Sequence, residues 1–126
     1  MSGIDRRGAI RRTALVVATL ALPAPLLAGA TRPALFIFDG RIARARRAAA
    51  TWQAAGVPVL DRTQDDLGRA WRSRIPAVAV GRAGPIAGLT LWVDSYICET
   101  FGRENGMAME RDPPLAADPL HGWVLR

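Results

Sequence analysis

Ala34-Leu35-Phe36-Ile37-Phe38-Asp39-Gly40, then Arg41 to Ala55, then Gly56-Val57-Pro58-Val59-Leu60-Asp61, is the stretch on which the fold turns. Ala34 to Phe38 is a continuous apolar run of strand length. Its aromatic and β-branched content suits a strand buried on both faces. Arg41 to Ala55 is rich in Ala and Arg, both good helix formers. Ile42, Ala45, Ala49 and Trp52 recur there at helical spacing, with Arg44 and Arg47 on the opposite, solvated face. Gly56 stands where a helix stops. Val57 to Leu60 then reads as a second strand, with Pro58 near its start. A strand, a helix and a strand joined by short loops are the opening of an α/β domain with a parallel sheet.

The pattern continues down the chain. Thr63-Gln64-Asp65-Asp66 reads as a helix start, with a hydroxyl cap and two acids in the first turn. Leu67, Ala70 and Trp71 supply the buried edge of that helix. Ile75 to Val80 is the expected third strand. Gly81 to Gly88 follows as a glycine-rich loop, leading to the longest helix, Thr90 to Glu104. On a wheel, Leu89, Trp92, Val93, Tyr96, Ile97, Thr100 and Phe101 cover one half of that helix and predict its core-facing side. Asp94, Ser95, Glu99 and Arg103 lie on or beside the other half. Asn105-Gly106 ends the helix. Met107 to Glu110 suggests a fourth strand and Trp123 to Leu125 an edge strand, separated by the proline-rich Asp112 to Pro119. The expectation is a small three-layer α/β domain whose mainly parallel sheet has four or five strands.

The 126 residues carry a formal charge of +6, and all seventeen basic residues are arginine. Four of these, with one of the eleven acids, precede residue 31. Thirteen arginines then face ten acids, leaving +3 on residues 31–126. The arginine excess fits a coding bias, and no cluster of basic and aromatic residues calls for nucleic acid. One cysteine, Cys98, excludes an internal disulfide, and one histidine, His121, excludes a His-rich metal site. Cys98 falls outside the apolar half of its helix. Two minor readings attach to it: a catalytic pair with His121, or a disulfide between molecules.

The first thirty residues have a different character. Two arginine pairs precede eighteen uncharged residues, Thr13 to Ala30, which close on Ala28-Gly29-Ala30. A basic region, a short apolar segment and a small-x-small terminus form an export signal. Asp5-Arg6-Arg7-Gly8-Ala9-Ile10-Arg11 resembles the twin-arginine translocation signal, Ser/Thr-Arg-Arg-x-Phe-Leu-Lys, in its arginine pair, Ile10 and Arg11. Asp5 replaces the hydroxyl residue and Ala9 the Phe. The resemblance implies a bacterial protein exported already folded by the twin-arginine translocase and cut by signal peptidase after Ala30. Residues 31–126 would then be a single periplasmic or secreted domain. A general secretory signal shares the three-part layout. Residues 13–30 also approach the length of an inner-membrane anchor, although Pro23 and Pro25 leave only Ala14 to Leu22 uninterrupted. Contact with a membrane is expected only if the leader is uncleaved.

Chemistry in an open α/β sheet gathers outside the carboxyl ends of the strands. Asp39, Asp61 and the Gly81–Gly88 loop fall there, with Thr90 at the expected helix start. Paired carboxylates can share a cation or do acid–base work; the simpler reading is that each caps a turn, Asp-Gly being a common turn dipeptide. Gly81, Arg82, Gly84 and Gly88 invite an anion. Yet the loop lacks the Lys-Ser/Thr of a P-loop and the G-x-G-x-x-G of a dinucleotide site, so no cofactor is indicated. A phospho-acceptor role for Asp39 would want a lysine, and the chain has none. The expected function is a non-catalytic binding or accessory module that meets a protein partner or small ligand. The alternatives are a hydrolase-like or metal-assisted enzyme using Asp39, Asp61 and Thr90, and a subunit co-exported with a larger partner.

Overall fold

The computed structural model describes residues 32–75, 84–113 and 117–126. The expected export leader, including Arg6, Arg7, Ala28 and Ala30, and the stretch with Gly81 and Arg82 lie outside these. Five strands form one sheet in the order β2-β1-β3-β5-β4: β1 (Leu35–Phe38), β2 (Val59–Asp61), β3 (Ile86–Leu91), β4 (Met109–Arg111) and β5 (Leu120–Leu125). Among the described residues the helices are α1 (Ala43–Ala54), α2 (Leu67–Ser73) and α3 (Trp92–Glu104). The protein is a small mixed α/β domain.

β1 is buried on both faces, as its apolar run requires. Leu35 and Ile37 join one core cluster with Leu67, Trp71 and Cys98, on the side of α2 and α3. Phe36 joins the other with Ala45, Ala48 and Ala49 of α1, and Phe38 packs against it. The sheet thus lies between α1 and the α2–α3 pair. The alanines of α1 bring it close to the sheet, and Ile42 and Trp52 flank them as the spacing predicts. Gly56 ends the helix at φ +87°.

The sheet is mixed rather than mainly parallel. β1 pairs parallel with β2 and β3, but β5 runs antiparallel to both β3 and β4. A parallel neighbour needs a crossover, whereas the short return from β4 to β5 contains no helix among its described residues and brings the chain back antiparallel. β5 is therefore an interior strand, and the edge falls to β4. The expected strand Ile75 to Val80 lies, beyond Ile75, outside the described residues. Among the described residues the third strand in chain order is Ile86–Leu91, much of it read from sequence as loop. Gly88 caused that misreading. It sits mid-strand because Trp123 of β5 crosses over it: a Cβ there would stand 2.1 Å from Trp123 Cζ2.

α2 is capped by Asp66, whose carboxylate accepts the Arg69 N–H at 2.8 Å, and not by Thr63. The largest departure is α3. Its inward residues are Asp94, Ser95, Cys98 and Gly102, with Ile97 and Phe101 at the flank facing α2. Trp92, Val93 and Tyr96 point to solvent at 55%, 54% and 48% exposure. The small inward residues let the helix approach closely, and a Cβ on Gly102 would lie 2.7 Å from Leu125 Cδ2. Trp71 of α2, stacked on Phe101 at 6.0 Å, and Trp123 of β5 fill the space that α3 itself does not. No helix among the described residues is long and apolar enough to cross a membrane.

Candidate functional site

The parallel strands end on three aspartates. Asp39 follows β1 with its side chain fully buried. Oδ1 accepts the N–H and the Nε–H of Arg41, each at 3.0 Å, and Oδ2 accepts the Arg41 guanidinium at 2.6 Å. The side-chain bond from Arg41 is the main reason the carboxyl sits below its ordinary value; burial opposes it. Asp61 closes β2. Its Oδ1 accepts the Gly40 N–H at 2.9 Å, the Thr63 N–H at 3.0 Å and the Thr63 hydroxyl at 2.7 Å. Burial works to raise this carboxyl, but the Thr63 and Gly40 bonds outweigh it and the pKa is lowered. The Asp61 carboxylate also occupies the space a side chain on residue 40 would need, so any larger residue there would have to displace it.

Asp94, in the first turn of α3, is the third, and it was missed in the sequence reading. It is 2% exposed, and burial raises its pKa; the nearby Asp39 charge adds to this while Arg62 pulls the other way. Arg62 Nε lies 3.1 Å from Asp94 Oδ1 without aiming its N–H there. Asp94 Oδ2 has no hydrogen-bond partner among the described residues. The available signal was positional: like Asp39 and Asp61, Asp94 comes just after a strand end.

Thr90 does not start a helix. It lies buried in β3, where its hydroxyl accepts from Trp123 Nε1 at 3.0 Å and donates to the Leu91 carbonyl at 3.0 Å. Gly84 lies in the loop before β3 and Gly88 within the strand, so the expected glycine-rich anion loop is not formed by these two. Asp39 and Asp61 do come together, Asp61 binding the amide next to Asp39, but as two interlocked turns. An open groove of about 520 Å³ lies to one side, between the Arg62–Gly68 segment and Ile97 and Phe101 of α3. Asp39, Asp61 and Thr90 do not line it. No protein-family model, curated protein or solved structure matches the chain.

This arrangement restricts the chemistry open to the sheet end. Two carboxyls held ionised below their ordinary range are poor general acids. The one with a raised pKa is sealed from solvent. No group of three or more His, Cys, Asp or Glu side chains among the described residues could hold a metal ion.

Cys98 is buried on the inward face of α3, which corrects its placement outside the core side and denies it an intermolecular disulfide in the folded state. Burial pushes its thiol up to about 12 from 9.0, with the Trp71 indole offsetting part of the rise, so no thiolate is on hand to pair with His121. A raised pKa means the folded state holds its proton longer. Stability is therefore complete below pH 9 and should be lost between pH 9 and about 12, at up to about 1.4 kcal/mol per pH unit from this group. A Cys98→Ala variant should show a shallower alkaline fall in urea-unfolding midpoint. An unchanged slope would place the thiol in water.

What the structure adds is the outer face of α3. Trp92 and Tyr96 stack there with ring centroids 5.6 Å apart and planes 12° from parallel, beside Val93. Wheel reasoning had placed Trp92 in the core with Trp52 and Trp71. Of these, Trp71 is buried, Trp52 half-buried and Trp92 exposed.

Proposed function

We propose that this chain is an exported, non-catalytic binding or accessory module that docks to a protein partner through the outer face of α3. The observation that supports the reading is the outward set of Trp92, Val93 and Tyr96. Apolar residues exposed singly need no explanation, but an aromatic stack and a valine together on one helical turn mark an interaction surface. Trp and Tyr are also the side chains that most often dominate binding energy. Val93, Ile97 and Phe101 follow one another at i, i+4 and i+8, leading the apolar surface into the groove beside α2. Helix-face and groove contacts of this kind suit a segment of another polypeptide.

The same face suits a subunit co-exported with a larger partner, since twin-arginine export moves folded assemblies. The enzyme reading draws less support: Asp39 and Asp61 are engaged in turns, and the Thr90 hydroxyl is engaged with Trp123. The leader gives the address, which is the periplasm, or the outer side of the inner membrane if residues 13–30 stay attached.

A photo-reactive amino acid placed at Tyr96 in living cells is expected to give a covalent protein adduct in the periplasmic fraction. The same group at Arg47, on the exposed face of α1, is not. Serine at both Trp92 and Tyr96 should leave the far-UV spectrum and melting temperature nearly unchanged, because neither side chain is in the core. Equal labelling from both positions, or none from Tyr96, would count against a docking role for α3.

A further inference from the structure

We propose that the crevice at the carboxyl ends of β1 and β3 binds a small hydroxylated anion, a polyol phosphate or a hydroxy acid. The anionic group would lie at the amino ends of α1 and α3 beside Arg41, and the hydroxyl between Arg62 and Asp94. The site is separate from the docking face, because it uses the inward side of the first turn of α3.

The topology sets the position. β1 and β3 are parallel neighbours, with Phe38 beside Leu89. The chain leaves them on opposite faces of the sheet, β1 into α1 and β3 into α3. Such a pair of strands opens a crevice at its carboxyl ends, and ligands of open α/β sheets bind there. Both helices aim their amino ends at it. Their cap residues, Ile42 and Leu91, make no side-chain hydrogen bond to the helix, and the first turn of α1 has no acid. The first N–H groups of a helix lack partners within it, and together with the helix dipole they attract an anion. Arg41, 58% exposed, adds a full charge; its bonds to Asp39 use Nε and Nη2 and leave Nη1 out. Asp39 pairs with Arg41 and Asp94 with Arg62, so the helix ends decide the sign of the ligand.

Helix ends alone would take any anion; the buried pair beside them selects. Asp94 is 2% exposed, and neither its Oδ2 nor Arg62 Nε has a hydrogen-bond partner among the described residues. Nε nevertheless stands 3.1 Å from the other carboxylate oxygen, Oδ1. A buried donor and a buried acceptor left unmade are costly, and here they are neighbours. A hydroxyl satisfies both, accepting from Nε–H and donating to Oδ2, whereas a carboxylate only accepts and an ammonium only donates. Asp94 feels the charges of Asp39 and Arg41, so the pair adjoins the crevice. Entry is past Arg62, whose side chain is 30% exposed and lines the neighbouring groove.

The test is an NMR titration of the isotope-labelled protein, in the form cells produce, at constant pH and ionic strength. The probes are glycerol phosphate, glycerate, inorganic phosphate and glycerol. Glycerol phosphate or glycerate should move the amide signals of Ala43 and Val93 and the Nε–H signal of Arg62 together, with one Kd on the order of 1–10 mM. The tighter of the two identifies the anionic group. Inorganic phosphate, which lacks the carbon-borne hydroxyl, should bind about tenfold more weakly and leave the Arg62 signal in place. Glycerol should not saturate. Asp94→Ala should abolish the preference over inorganic phosphate without abolishing phosphate binding. Equal affinity for inorganic phosphate and both hydroxylated probes would mean an anion at the helix ends only, and overturns the site. So does a preference that survives Asp94→Ala, or the lack of a saturable shift from any probe. Should the variant not fold, the comparison of probes on the parent protein decides by itself.

Discussion

Trp123→Ala is expected to cost about 3–5 kcal/mol, read as a drop in the urea midpoint at unchanged slope. Trp123 is 1% exposed at the crossing of β5 over β3, packed in the core cluster shared by β1, α2 and α3. Its loss removes one of the two tryptophans that fill that layer. It also strips the Thr90 hydroxyl of the indole N–H that it accepts at 3.0 Å. Domains of this size hold only about 5–15 kcal/mol in all, so the variant should be largely unfolded at mild denaturant.

The partner substitution is Gly88→Ala, expected to cost about 1–3 kcal/mol by overpacking. The new Cβ would stand 2.1 and 2.3 Å from Trp123 Cζ2 and Cε2, ring atoms with no flexible end to swing away. With Trp123→Leu in the background that clash disappears, so the double variant should be markedly less destabilised than the sum of the two singles. Additive costs would mean that the ring does not lie over Gly88.

Asp61→Ala is the second large effect, about 2–4 kcal/mol by the loss of charge-assisted bonds in the turn after β2. The Gly40 amide and the Thr63 amide and hydroxyl all donate to Oδ1, and none keeps that acceptor in the variant. Gly40 adjoins Asp39, so the two strand ends should loosen together. Asp61→Asn keeps an acceptor oxygen and should cost less. Because the folded-state pKa is lowered, the contribution of Asp61 is present above the ordinary value of 3.8 and is lost as pH falls through the folded one. The Asn variant should therefore show a flatter acid limb. Asp94 acts in the opposite sense: burial disfavours its ionised form, and acid removes that penalty. An Asp61→Ala variant as stable as the parent would show that water replaces the carboxylate in the turn.

The first half of the fold was legible because local pattern and burial agree there. The run Leu35–Phe38, the alanine spacing of α1 and Gly56 each have one physical meaning. The Asp39 and Asp61 turns were legible too, from Asp-Gly chemistry and position. Legibility failed where a distant residue decides the local structure. Gly88 reads as loop until Trp123 is known to lie across it, and β5 reads as an edge until β4 pairs outside it. α3 failed more instructively. Hydrophobic periodicity reports which face avoids water, not which partner covers it. The wheel found a true apolar face and assigned it to the core, whereas small Ser95, Cys98 and Gly102 face the sheet instead. Asp94 was missed for the same reason, since a carboxylate is not expected on a buried helix face unless it is paired. An apolar face that no described part of the chain covers is what the docking account builds on.

The most direct test of that account is thiol labelling of the Tyr96→Cys variant with the native Cys98 retained, followed by peptide mapping in dilute native buffer. Two positions apart on one helix, the thiols should differ completely: the introduced one modified at the rate of a free thiol, Cys98 untouched until denaturant is added. Fast labelling of Cys98 with protection at position 96 would mean that α3 turns its aromatic face to the core. The docking surface would then be lost.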